Sequence, residues 1–136
     1  MSVLVLDSGA VSHIAHGREQ ALEDIQALVD NQLWPPIVPT IVLAESFSGR
    51  ERNDVPVHRL LNNCAVVEEI SRSQAHRAGK LRTEAGCGSA IDAMLVALAE
   101  PGGTVLTEDV KDLVPLAQRA DRVSVMTVKP RRRSRM

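Results

Sequence analysis

The chain has 136 residues, 44% of them hydrophobic, enough to build one packed core of ordinary domain size. Its net charge of −1 averages an acidic body and a basic tail: residues 129–136 hold five of the 16 basic residues, leaving 11 against 17 acidic ones, or about −6. An aromatic content of 1% excludes RNA-binding modules that stack bases on rings, Cys64 and Cys87 lack the spacing of a zinc site, and no apolar run is long enough to cross a bilayer.

Residues 2–6 are a continuous run of Leu, Val and Ser that reads as a strand buried on both faces, and Met1 is expected to lead into it without a leader segment. Residues 8–15 read as a short helix. Residues 19–31 place Ala21, Leu22, Ile25, Leu28 and Val29 at helical spacing. Residues 34–38 read as a short strand that Pro35 and Pro36 restrict to irregular or edge pairing. Thr40 is a candidate cap for a helix reaching Ser48, with Gly49 ending it. A short helix over 54–61 and a strand over 65–70 follow. Ser71 caps a helix to about Ala85, which Gly86-Cys87-Gly88 breaks, and Ser89 caps another to Glu100, expected to be buried over 93–99. Pro101-Gly102-Gly103 turns the chain into a strand over 104–106. Residues 110–119 read as helical and 122–128 as a last strand.

This alternation implies one α/β domain over residues 1–128, a mostly parallel sheet with helices on both faces in three layers. Residues 129–136 are expected to be a disordered basic tail whose Arg131, Arg132, Arg133 and Arg135 attract RNA phosphates. Arg72, Arg77, Lys80 and Arg82 offer a second basic surface on one helix. The two cysteines read as buried thiols of a reducing cytoplasm.

Four acids stand out. Asp7 follows the first strand and Asp109 the strand over 104–106; Glu45 and Asp92 interrupt helices that are otherwise apolar around them. Carboxylates beside a core are costly unless a cation or hydrogen bonds compensate them. In open parallel sheets, ligands bind beyond the carboxyl ends of the strands, where both aspartates fall. Each acid also has an ordinary reading. Asp7 suits an N-cap, Asp92 the last position of a Ser89-x-x-Asp92 capping box, Asp109 a turn, and Glu45 a solvated stripe. Together they point to a site made of oxygen ligands, the chemistry of Mg²⁺ or Mn²⁺ and of phosphate. Ser8 and Thr107 would orient carboxylates or water by hydrogen bonds. Asp112 is the alternative fourth acid, and Glu108 should point away from Asp109 if the segment is extended. His13, His16, His58 and His76 read as surface residues.

The motif Val-Leu-Asp7-Ser8-Gly9-Ala resembles the opening of PIN-domain ribonucleases, an aspartate followed by a small hydroxyl residue. Val38-Pro-Thr-Ile-Val-Leu-Ala-Glu45-Ser resembles their glutamate helix, Gly88-Ser-Ala-Ile-Asp92-Ala-Met-Leu-Val-Ala-Leu-Ala the helix of their third acid, and Thr104-Val-Leu-Thr107-Glu108-Asp109 the Thr-x-Asp segment of the fourth. Order, spacing and length are similar to the VapC-type toxins of toxin–antitoxin pairs. One departure stands at Gly9, where the usual Asp-Thr-Ser start has a second hydroxyl. The resemblance implies a PIN-like fold and a cytoplasmic endoribonuclease using one or two Mg²⁺ or Mn²⁺ ions, held by Asp7, Glu45, Asp92 and Asp109. It also implies a homodimer or a hetero-oligomer with a VapB-like antitoxin that blocks the acidic cleft, the faces around Leu22, Ile25 and Leu28 being candidates for contact between copies.

Three other readings compete. A PIN nuclease of RNA processing would share every residue, and the small size favours the toxin. A non-catalytic binding module would lack one of the acids, and none is missing. A phosphoacceptor signalling domain needs an Asp ending a middle strand, where this chain has Ile70-Ser71.

Overall fold

A computed structural model describes residues 3–128. The tail residues Arg131, Arg132, Arg133 and Arg135 lie outside the described residues. β1 (Leu4–Leu6) is followed at once by α1 (Ser8–Ala15) and α2 (Arg18–Asp30). β2 (Ile37–Pro39), α3 (Thr40–Ser46) and α4 (Glu51–Leu61) come next, then β3 (Ala65–Val67), α5 (Arg72–Ala85) and α6 (Ala90–Ala99). The chain closes with β4 (Thr104–Thr107), α7 (Val114–Gln118) and β5 (Ser124–Thr127).

The five strands form one parallel sheet in the order β3-β2-β1-β4-β5. β1 is central, and its Leu4, Val5 and Leu6 are buried, as a strand covered by helices on both faces requires. The chain moves outward from β1 to β2 and β3, then returns to place β4 on the other side of β1. That reversal creates a crevice between the carboxyl ends of β1 and β4. The register pairs Leu6 with Leu106, which brings Asp7 level with Thr107. Leu95, Val96 and Ala99 of α6 pack beside Leu81 of α5 and Leu116 of α7 in the core, all essentially inaccessible. α6 is thereby fixed with its first turn at the crevice.

Several expectations need correction. β2 is an inner strand bonded to β1 and β3, because Pro35 and Pro36 precede it and leave the amides of Ile37 and Val38 free to pair. Thr40 is the first residue of α3 and not its cap. Pro39 holds that position, α3 stops at Ser46, and Ser48 lies beyond it. β3 is three residues long with exposed Ala65 and Val66, as suits an edge, so Glu68 to Ile70 are not strand. α7 starts only at Val114, since residues 111–113 are turn. Cys87 is exposed, whereas Cys64 is half-buried, and burial pushes its thiol up to about 11. Leu28 is buried inside the protein, so Leu22 is the exposed member of the face proposed for contact between copies. Arg77 forms a two-pronged ion pair with Glu100, at 2.8 and 2.7 Å, and Arg82 bonds the Gly88 carbonyl, so neither extends a free basic stripe.

Candidate active site

The crevice beyond β1 and β4 holds a small acidic cleft of about 240 Å³, lined by Asp7, Ser8, Gly9, Asp92, Thr107, Glu108, Asp109 and Asp112. Asp7 arrives because α1 starts directly after β1. Its Oδ1 accepts the Ala10 amide at 2.8 Å, so it is the N-cap of α1 while also facing the cleft. Asp92 arrives on the first turn of α6, whose cap Ser89 accepts the Asp92 amide at 3.0 Å. The capping reading of Asp7 therefore holds, that of Asp92 holds only for the Ser89 half of the box, and both residues line the cleft.

Burial and neighbouring charge act in the same direction here. Asp7 is pushed above the ordinary carboxylate value, first by burial and then by the charges of Asp92 and Glu108, while Thr107 and the Ala10 amide oppose the shift. Asp92 is raised for the same first reason, with Asp112, Glu45 and Asp109 adding repulsion and the Ser89 hydroxyl opposing it. Carboxylates that resist ionising together form a region of strong negative potential.

Thr107 is buried, and its hydroxyl lies between two acids. It accepts the Asp109 amide at 3.0 Å. Its one proton is directed either to the Asp109 carbonyl at 3.1 Å or to the Asp7 carboxylate. Asp109 is exposed, and its Oδ1 accepts the Lys111 amide at 3.0 Å in a local turn. Asp112 shares the cleft with it, so Asp109 and Asp112 both remain candidates for the fourth acid. Glu45 stands apart: it is exposed on α3 and reaches the cleft through its charge on Asp92. Its surroundings are more solvated than the apolar sequence around it implies, because α3 presents Val42 to the core and Ala44 and Glu45 to water.

Two residues depart from the expectation their sequence sets. Glu108 does not turn away: the chain bends after Thr107, so extended alternation fails and Glu108 lines the cleft beside Asp109. His13 is not a surface residue, since its side chain is 5% exposed and its Nε2 lies 2.9 Å from Asp24 Oδ2. No local signal links residues 13 and 24; the pairing depends on how α2 folds back on α1. His16, His58 and His76 are exposed as expected, with His58 against Phe47 at 4.7 Å between ring centroids.

Asp54 is a buried acid outside this cleft. It accepts the Ser48 amide, the Ser48 hydroxyl and the Gly49 amide at 2.8 to 2.9 Å, which holds its carboxyl below the usual range. It ties the loop after α3 to α4, a structural role.

Among the described residues, no three His, Cys, Asp or Glu side chains converge into a ready-made metal shell. The donors that line the cleft are all oxygens. That set suits Mg²⁺, which keeps several waters and takes one or two carboxylates together with substrate phosphate.

A family model of the PIN domain matches residues 4–114. No curated protein matches the sequence. Among solved structures, a chain of the VapBC2 complex from Rickettsia felis bound to a promoter DNA fragment superposes with a TM-score of 0.69 at 19% identity, over 93% of this chain and 99% of that one. A chain of DNA-bound VapBC from Salmonella typhimurium gives 0.66 at 18%, over 93% and 98%. A toxin–antitoxin complex from Klebsiella pneumoniae gives 0.63 at 22%, over 82% and 90%. At these identities the likeness is one of fold.

Proposed function

Because the chain belongs to the PIN domain family, whose model spans residues 4–114, we propose that it is a metal-dependent endoribonuclease, the toxin of a toxin–antitoxin pair. The observation that carries this reading is the single cleft that Asp7, Asp92, Thr107 and Asp109 line together, at the point where the strand order reverses. The toxin role is supported by the solved relatives, three of which are toxin–antitoxin complexes of nearly the same length.

In this reading Asp7 and Asp92 hold Mg²⁺ or Mn²⁺, one ion or two, directly or through water. Asp109, with Asp112 as its alternative, completes the site, and Glu45 contributes from its exposed position. What such a cation supplies when bound is a lowered pKa of water and neutralised phosphate charge. Thr107 fixes the orientation of Asp7 and the Asp109 segment through its hydroxyl, and Ser8 borders the same cleft. With almost no aromatic surface, the chain would grip RNA by its phosphates, assisted by Arg131, Arg132, Arg133 and Arg135. The partner implied is an antitoxin that covers the cleft and offers a cation to its carboxylates. Among the described residues, no helix is long and apolar enough to cross a membrane.

Expression in a bacterial host tests the toxin role. Growth arrest with accumulation of cut RNA is expected, and Asp92→Asn should relieve both. Arrest that persists undiminished in Asp92→Asn would contradict the reading.

A further inference from the structure

His13 carries a carboxylate at each ring nitrogen: Nε2 is 2.9 Å from Asp24 Oδ2, and Nδ1 is 3.8 Å from Glu108 Oε1. The ring is buried, Asp24 is largely so, and Glu108 opens into the acidic cleft. Asp24 is itself steadied by Gln20 Nε2 at 3.2 Å. With Nε2–H donated to Asp24, Nδ1 faces the Glu108 carboxylate at ion-pair distance.

Two glycines make this arrangement possible. At Gly17, a Cβ would stand 2.8 Å from Ala21 Cβ and 2.5 Å from the His13 carbonyl oxygen, so only glycine lets α2 fold this tightly onto α1. At Gly9, a Cβ would meet Glu108 Cβ at 3.3 Å and Cγ at 3.4 Å. Gly9 and His13 are four residues apart on one face of α1. One supplies room for Glu108 and the other a ring nitrogen that faces its carboxylate.

We propose that the Asp24–His13 pair is a positioning device that holds Glu108 in the cleft beside Asp7, making Glu108 a further acid of the site. This rests on the metal-dependent reading above. Glu108 is close enough for its charge to act on Asp7, and its negative charge strengthens the pull of the cleft on a divalent cation. His13 touches neither substrate nor metal in this account and acts only through Glu108.

The test is a double-mutant cycle read as the Mn²⁺ concentration giving half of the maximal rise in Tm, measured for wild type, His13→Gln, Glu108→Gln and the pair. Each single change is expected to raise that concentration several-fold, and the double variant to match Glu108→Gln alone. A His13 with a merely structural role would lower Tm without metal and leave the Mn²⁺ midpoint in place. That result overturns the proposal, as does an equal shift from His13→Gln in both backgrounds. Asp24→Asn is the second variant should His13→Gln fail to fold. It keeps an oxygen for Nε2, removes the charge, and is expected to raise the midpoint in the same direction. If wild type gains no stability from Mn²⁺, the metal-dependent function itself falls. If wild type is stabilised but the cycle is additive, only the positioning role falls.

Discussion

Asp7 caps α1 and Asp92 sits in the first turn of α6 above its cap Ser89, and both line the acidic cleft, a placement that explains their energetics. Burial and mutual repulsion raise both pKa values above the ordinary 3.8. A carboxyl with a raised folded-state pKa favours the fold while protonated, and this contribution is lost as pH climbs from 3.8 through the raised value. At neutral pH without metal, the cleft therefore opposes folding. Asp92→Asn should raise Tm by a few degrees at pH 7 in EDTA, with the difference from wild type vanishing below pH 3.8. A lower Tm for the variant at pH 7, measured by calorimetry, would contradict this. Asp54 and Glu100 titrate in the opposite sense: their pKa values are lowered, so their stabilisation is lost on acidification. The comparison must accordingly be the difference between variant and wild type. At this scale the sequence revealed the acids that follow a strand or open a helix, because such positions are set locally. Glu108 and His13 escaped it, since one depends on a bend after Thr107 and the other on a contact eleven residues away between two helices.

The most legible helices are α1, α5 and α6, which start on a side-chain cap. Ser71 and Gln74 form a reciprocal capping box at 3.0 Å in each direction, and Gly86 closes α5 with a φ of 70°. Ser71→Ala should cost about 1 kcal/mol in denaturant unfolding. An unchanged midpoint would mean that the first turn of α5 is held by tertiary packing alone. α5 is also tied to the end of α6 by Arg77 and Glu100, whose carboxylate further accepts the Asp121 amide at 2.7 Å. Arg77→Ala leaves a largely buried carboxylate without its partner and should cost about 2 kcal/mol. A cost within error of zero would show the pair to be an ordinary surface bridge. α7, which has no side-chain cap, and the short strand β2 are less legible. The prolines before β2 mimic an edge signal, and the helical spacing before α7 is occupied by the turn through which Asp109 and Asp112 reach the cleft.

At the scale of the whole molecule, alternating strands and helices were sufficient to specify a parallel three-layer fold. The strand order was not, because no local feature states that β4 returns to the far side of β1. That return creates the crevice, so the site follows from topology as much as from its residues. Packing of α6 against the sheet keeps Asp92 in place, and Leu95 is fully buried there. Leu95→Ala should cost about 2–5 kcal/mol and loosen the site together with the core. Removing residues 129–136 leaves an acidic body and should weaken RNA binding at low salt; unchanged affinity would show that the tail takes no part. The proposed function asks the acidic cleft to cleave RNA with the help of a metal ion. Its most direct test is digestion of total cellular RNA by purified protein in Mg²⁺, Mn²⁺ or EDTA, beside Asp7→Asn, whose amide oxygen can still cap α1. Discrete cuts that require metal and fall at least about a hundredfold in the variant are expected. Equal cutting by Asp7→Asn, or cutting undiminished in EDTA, would contradict it.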